Sequence, residues 1–94
     1  THMLEICLIA LKDADMTVIN AGIDNLTTLV DTDQSEAALT AILPFKTAES
    51  WYTRMHVAYG LKRFDHPTAQ AALIELRQDK HHKVVAAALE GLLP

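Results

Sequence analysis

The sequence predicts an all-α chain, an α-α superhelix of six helices arranged as three antiparallel pairs. Three observations carry this. Half of the 94 residues are hydrophobic but only 5% are aromatic, and Ala and Leu supply most of the apolar side chains, a bias toward helix over strand. Gly and Pro number three each, few for the tight turns of an all-β protein. A helical pattern also recurs about every 31 to 35 residues, the range of short helical repeats.

Each helix has its own signals. The first is expected from about Met3 to Lys12, interrupted by Asp13-Ala14-Asp15, where Asp13 or Asp15 can cap the next start. The second runs from about Met16 to Val30. Asp33 followed by Glu36 then has capping-box spacing, with Asp in place of Ser or Thr. The third covers about Gln34 to Leu43, and Pro44 ends or kinks it because proline lacks the N–H and clashes with the preceding turn. The fourth runs from about Ala48 to Arg63. Asp65-His66-Pro67 is a boundary that places proline in a first turn, and the fifth helix spans about Pro67 to Gln78. The sixth spans about Lys80 to Leu93. Short links between helices of this length imply antiparallel neighbours.

No low-complexity linker divides the chain, so residues 3–94 read as one domain. Thr1-His2-Met3 reads as a vector-derived scar ahead of a natural Met, and residues 1–2 are set aside. The formal net charge of −4 gives no general footprint for a phosphate backbone, so no nucleic-acid partner is expected. No apolar run approaches the ~20 residues of a membrane span. Cys7 is the only cysteine, which rules out an internal disulfide and a Cys-based zinc site and is compatible with a reducing cytoplasm.

The repeat is visible residue by residue. Asp13, Val18, Ala21 and Leu26 recur at the same offsets as Asp79, Val84, Ala87 and Leu92. Ile19 matches Val85, and Ile23 matches Leu89. The middle unit keeps Thr53, Ala58 and Leu61. In the preceding helices Leu8 to Leu11 corresponds to Leu73 to Leu76, with Leu39 and Ile42 in the middle unit. This pattern resembles the HEAT-like repeats of bacterial and archaeal proteins, including those related to phycobilisome lyases. Their second helix carries an Asp, then Val-Arg, then Ala and Leu. The Arg stands here only as Arg54; Ile19 and Val85 replace it elsewhere. The resemblance implies a solenoid in which one pair cannot bury its apolar face alone, and stacked pairs form a continuous core.

The resemblance also implies that the second helix of each pair lines a concave surface. On a helical wheel, Val18, Gly22, Ile23 and Leu26 take one face, with Val84, Ala88, Leu89 and Leu92 as counterparts, and these are expected to be core. The opposite face takes Thr17, Asn20, Asp24 and Thr27, then Tyr52, Met55, Tyr59 and Lys62, then Lys83, Ala86, Glu90 and Leu93. From it, Asn20, Asp24, Tyr52, Met55, Tyr59, Lys62, Lys83 and Glu90 form the candidate binding set. Tyr52, Met55 and Tyr59 read either as a sticky stripe, since Tyr and Met are enriched at interfaces, or as core if the fourth helix is rotated.

Other residues have plainer readings. Trp51 is a core or edge anchor, and Arg54 bonds a neighbouring loop carboxylate. His56 lies near a helix interface, and Cys7 is a small core residue. His81 and His82 point about 100° apart on a helix and are expected to be solvated rather than to share a metal. His66 belongs to a turn.

No catalytic motif is present: no P-loop, no Gly-x-Ser-x-Gly elbow and no His-Glu dipeptide. The expectation is therefore a non-catalytic scaffold without a cofactor, binding a protein or peptide through the second-helix face. Its alternatives are a small-ligand or cofactor-binding accessory protein of the bilin-lyase type, with a closed pocket around Trp51, His56 and Tyr59, or a module that forms a weak homodimer through exposed terminal helices.

Overall fold

The computed structural model describes residues 2–94. Six α-helices follow one another: α1 (His2–Ala10), α2 (Met16–Leu26), α3 (Ser35–Ile42), α4 (Trp51–Leu61), α5 (Pro67–Leu76) and α6 (His82–Leu92). Single 3-10 stretches follow α2 (Thr27–Leu29) and α3 (Leu43–Thr47), and no strand occurs among the described residues. No helix is long and apolar enough to cross a membrane among those residues.

Side-chain caps set the helix starts. Asp15 Oδ1 accepts from the Thr17 N–H at 2.8 Å, and Asp13 Oδ1 accepts from the Asp15 N–H at 2.7 Å. Ser50 Oγ faces the Thr53 N–H, so α4 begins at Trp51 and not near Ala48. His66 Nδ1 accepts from the Thr68 N–H and His81 Nδ1 from the Lys83 N–H, which moves the start of α6 from Lys80 to His82. The Asp33–Glu36 capping box does not open α3. The hydroxyl of Thr32 takes the Gln34 N–H instead, at 3.1 Å, and the helix begins at Ser35. α2 stops at Leu26 rather than continuing to Val30. Thr27 and Thr28 donate their hydroxyls to the Asp24 and Asn25 carbonyls, and the last turn tightens to 3-10 geometry.

The helices form two layers in a slab 34 × 29 × 15 Å. α1 packs on α2 and α5 on α6, while α2, α4 and α6 lie side by side as one continuous layer. The largest fully buried side chains include Ile23, Leu26, Ile42, Val57, Leu61, Leu73 and Val84, each worth roughly 1.5–3 kcal/mol of burial. Gly22 lets α1 close on α2: a Cβ there would stand 3.0 Å from Ala10 Cβ.

Two expected core residues, Val18 and Leu89, are exposed, and Leu92 is half-buried. The reason lies in the stack. Viewed down a second helix, one flank faces the preceding unit, the opposite flank faces the following one, and the side between them faces the first-helix layer. Val18 is on the preceding-unit flank of the first unit, and Leu89 on the following-unit flank of the last. Their equivalents inside the stack, Thr53 and Ile23, are buried. Periodicity finds the positions that pack, and among the described residues no unit lies against these two flanks.

Candidate functional site

The face of the second-helix layer turned away from the first helices carries Thr17, Asp24 and Thr28 on α2. On α4 it carries Tyr52, Tyr59 and Arg63, and on α6 Lys83 and Glu90. All are exposed. Tyr52 is 46% and Tyr59 41% exposed, so neither tyrosine is core.

The remaining candidates are more buried or flank a neighbouring helix. Asn20 is only 5% exposed, and its Oδ1 accepts from the Thr53 hydroxyl at 2.8 Å between α2 and α4. It borders a cleft of the face but is not exposed on it. Thr27 is buried as well, and Met55 is half-buried against the core. Lys62 is exposed but flanks α6, its Nζ 3.4 Å from Glu90 Oε1. The sequence wheel was therefore turned by less than one residue step toward the following unit. Arg63 and Thr28 belong to the face instead, and Arg63 one turn beyond Tyr59 was the available signal.

The centre of this face is a shallow furrow between α2 and α4, bridged by His56 Nδ1 and Asp24 Oδ1 at 2.8 Å. On one side of the bridge a cleft of about 280 Å³ is lined by Met16, Thr17, Asn20, Ala21, Tyr52 and His56. On the other, a cleft of about 380 Å³ is lined by Thr27, Thr28, Tyr59, Gly60, Lys62 and Arg63. Asp24 borders both. Each cleft thus joins one tyrosine to polar groups. Tyr52 is steadied by edge contacts to Trp51 and His56, with ring centroids 5.5 and 4.8 Å away. Lys62 Nζ lies 5.7 Å from the centre of the Tyr59 ring.

Trp51 is an edge anchor: its ring stacks on His81 at 4.0 Å, with planes 7° apart. His81 stacks in turn on His82; His81 is half-buried, while His82 is exposed as expected. Burial in this stack, together with the charges of His82 and Lys83, holds the His81 ring below the usual histidine pKa, against the opposing pull of Asp79.

Arg54 is the structural arginine. Its Nε and Nη2 donate to Asp79 at 2.7 and 3.1 Å, and its Nη1 donates to the Ala48 and Glu49 carbonyls at 2.8 and 2.9 Å. The guanidinium holds the Asp79 carboxyl below its ordinary range. Burial pushes the Cys7 thiol up, consistent with an unreactive core residue. No group of three or more His, Cys, Asp and Glu side chains suited to a metal ion stands together among the described residues.

Comparison with known proteins agrees with this architecture. No curated protein and no solved structure matches the chain. The model of the family described as HEAT repeats matches residues 4–93, the span that forms all three stacked helix pairs. The chain therefore belongs to the HEAT repeat family.

Proposed function

We propose that the chain is a non-catalytic interaction module that binds a protein or peptide across the second-helix face, with Tyr52 and Tyr59 as anchors. HEAT repeats generally mediate protein–protein interaction or scaffolding. The observation that carries the reading is the exposure of two tyrosines on one helix face. The core uses neither, and each supplies a large apolar ring with a polar tip. Asp24, Arg63, Lys83 and Glu90 surround them with charges of both signs, which suits an extended segment carrying apolar and charged side chains in alternation.

The small-ligand alternative needs Trp51, His56 and Tyr59 around one enclosed pocket. His56 and Tyr59 instead line different open clefts, and Trp51 is stacked on His81. The geometry favours the protein-binding reading. A lone buried thiol suits work in a reducing compartment such as the cytoplasm.

The test is capture from a lysate of the source organism by the native chain and by a Tyr52→Ala/Tyr59→Ala variant. Both residues are exposed, so circular dichroism should show an unchanged helix content. A protein held by the native chain and lost by the folded variant is the expected result. Equal capture by both would overturn this face as the site.

A further inference from the structure

The furrow between α2 and α4 continues past the Tyr59 cleft. Arg63, which borders that cleft, also borders a third one of about 380 Å³, formed between the turn after α2 and the turn after α4. Asp24 joins the first cleft to the second, and Arg63 joins the second to the third. The three lie in line along one trough between the first two helix pairs. The chemistry changes along it. The first two clefts hold one exposed tyrosine each. The third has Val30, Leu39 and Phe64 among its walls and carries Asp31, Asp33, Glu36 and Asp65. Among the described residues none of these four carboxylates is in an ion pair, and Arg63 is the only Lys or Arg lining the cleft. The capping bonds beside them come from the Thr32 hydroxyl and the His66 ring instead. This end of the trough is therefore strongly negative.

The spacing of the two tyrosine clefts selects the backbone that can fill both. Tyr52 and Tyr59 are seven residues apart on α4, about 10.5 Å along the axis. A β-strand returns side chains to one face at about 7 and 13 Å, on either side of that distance. A polyproline II segment returns every third residue, about 9.3 Å on. An α-helix also matches, at its seventh residue, but its side chains three and four positions on fall midway, where the His56–Asp24 bridge stands. The polyproline II segment turns its intervening side chains outward and crosses the bridge with backbone. Its carbonyls have no internal partners, and the exposed tyrosine hydroxyls are donors. Proline asks for no acceptor, and Asp24, the carboxylate between the two clefts, is already held by His56.

We infer that the trough takes a proline-rich segment in the polyproline II conformation, with proline or another apolar residue three positions apart in the two tyrosine clefts and Lys or Arg following over the acidic cleft. Charge complementarity fixes the basic end. Arg63 is four residues beyond Tyr59, about 6 Å, so the basic side chains begin about two positions past the second anchor. The inference rests on the tyrosine-face reading and names its partner. It also lays that partner along α2 and α4 rather than crosswise over all three second helices.

The probes are three synthetic peptides: a proline-rich run followed by arginines, the same peptide with glutamates for the arginines, and the same peptide with alanines for the prolines. Calorimetry gives the affinities, and amide shifts of the labelled native chain locate the peptide without any substitution. The proline–arginine peptide is expected to bind and to shift amides around Tyr52, Tyr59 and Asp31. The glutamate peptide should bind about tenfold more weakly or worse. Tyr52→Ala/Tyr59→Ala should lose the binding, and Asp31→Asn/Asp33→Asn/Asp65→Asn should remove most of the preference for arginine. All five positions are exposed, so circular dichroism should show unchanged helix content. Equal binding of the glutamate peptide, or equal binding of the alanine peptide, overturns the inference. So do shifts confined to another surface. A proline–arginine peptide that fails to bind, while a lysate protein is still captured through the tyrosines, overturns this inference alone. Loss of that capture as well removes the tyrosine-face reading on which it rests.

Discussion

The two interfaces inside the second-helix layer occupy equivalent positions but are built from different chemistry. Between α2 and α4, Asn20 accepts from the Thr53 hydroxyl in a buried bond, and Asp24 meets His56 at the surface. Between α4 and α6 the corresponding positions carry Met55 and Val84, then Tyr59 and Ala87. At these positions polar pairing at the first interface is replaced by apolar packing at the second, where polar contacts move to the helix ends as Arg54–Asp79 and Lys62–Glu90. Repeats require only that the flanks be complementary, so the chemistry of each flank can drift if its partner drifts with it. A buried hydrogen-bonded pair contributes little more than well-packed apolar groups, yet its loss on one side is costly. That asymmetry ties each helix to one neighbour.

The largest effect is expected at Arg54. Its guanidinium makes two bonds to Asp79 and two to backbone carbonyls, and the side chains of the pair are only 9% and 10% exposed. Arg54→Met keeps most of the apolar stem and removes all four bonds, leaving a buried carboxylate without its partner. The expected cost is about 3 kcal/mol in urea unfolding, the range for a buried pair broken on one side. The Arg54→Met/Asp79→Asn chain should recover part of it, because the uncompensated charge is gone. A loss below about 1 kcal/mol would mean that the second interface rests on apolar packing alone.

The first interface is expected to yield a smaller change. Thr53→Val leaves Asn20 Oδ1 buried without its donor, at a cost of about 1–3 kcal/mol. Adding Asn20→Met rebuilds the first interface on the pattern of the second, and stability should return to within about 1 kcal/mol of native. A double variant as unstable as Thr53→Val would show that the two interfaces are not interchangeable and that the polar pair is required by the local spacing.

These comparisons also mark what the sequence could reveal. The six helices, the proline boundary at Pro67, the buried Cys7 and the structural role of Arg54 were legible because each follows from local chemistry or from the repeat. Helix starts were displaced where a cap was read from composition rather than geometry, as at Thr32 and His81. The exposed candidate face was legible in its tyrosines, which break the pattern of the flanking units. It was not legible at Asn20 or Arg63, because a polar residue between helices and one facing solvent look alike until the neighbour's position is known. Val18 and Leu89 mislead for the complementary reason: they follow the core pattern on flanks that no described unit covers.

The smallest effect distinguishes the second interface by its response to acid. His81 accepts from the Lys83 N–H through Nδ1 and stacks on Trp51, and both roles suit the neutral ring. Desolvation in the stack lowers its pKa below the ordinary value of 6.5, helped by the charges of His82 and Lys83. As pH falls the unfolded chain takes up this proton first. The contribution of His81 is therefore fully present above about pH 6.5 and is lost as pH falls from there toward the lower folded value. The thermal midpoint should drop slightly between pH 7.5 and 5.5, and His81→Asn, which keeps a capping acceptor but does not titrate, should flatten that segment. The same drop in His81→Asn would assign the acid response to other histidines.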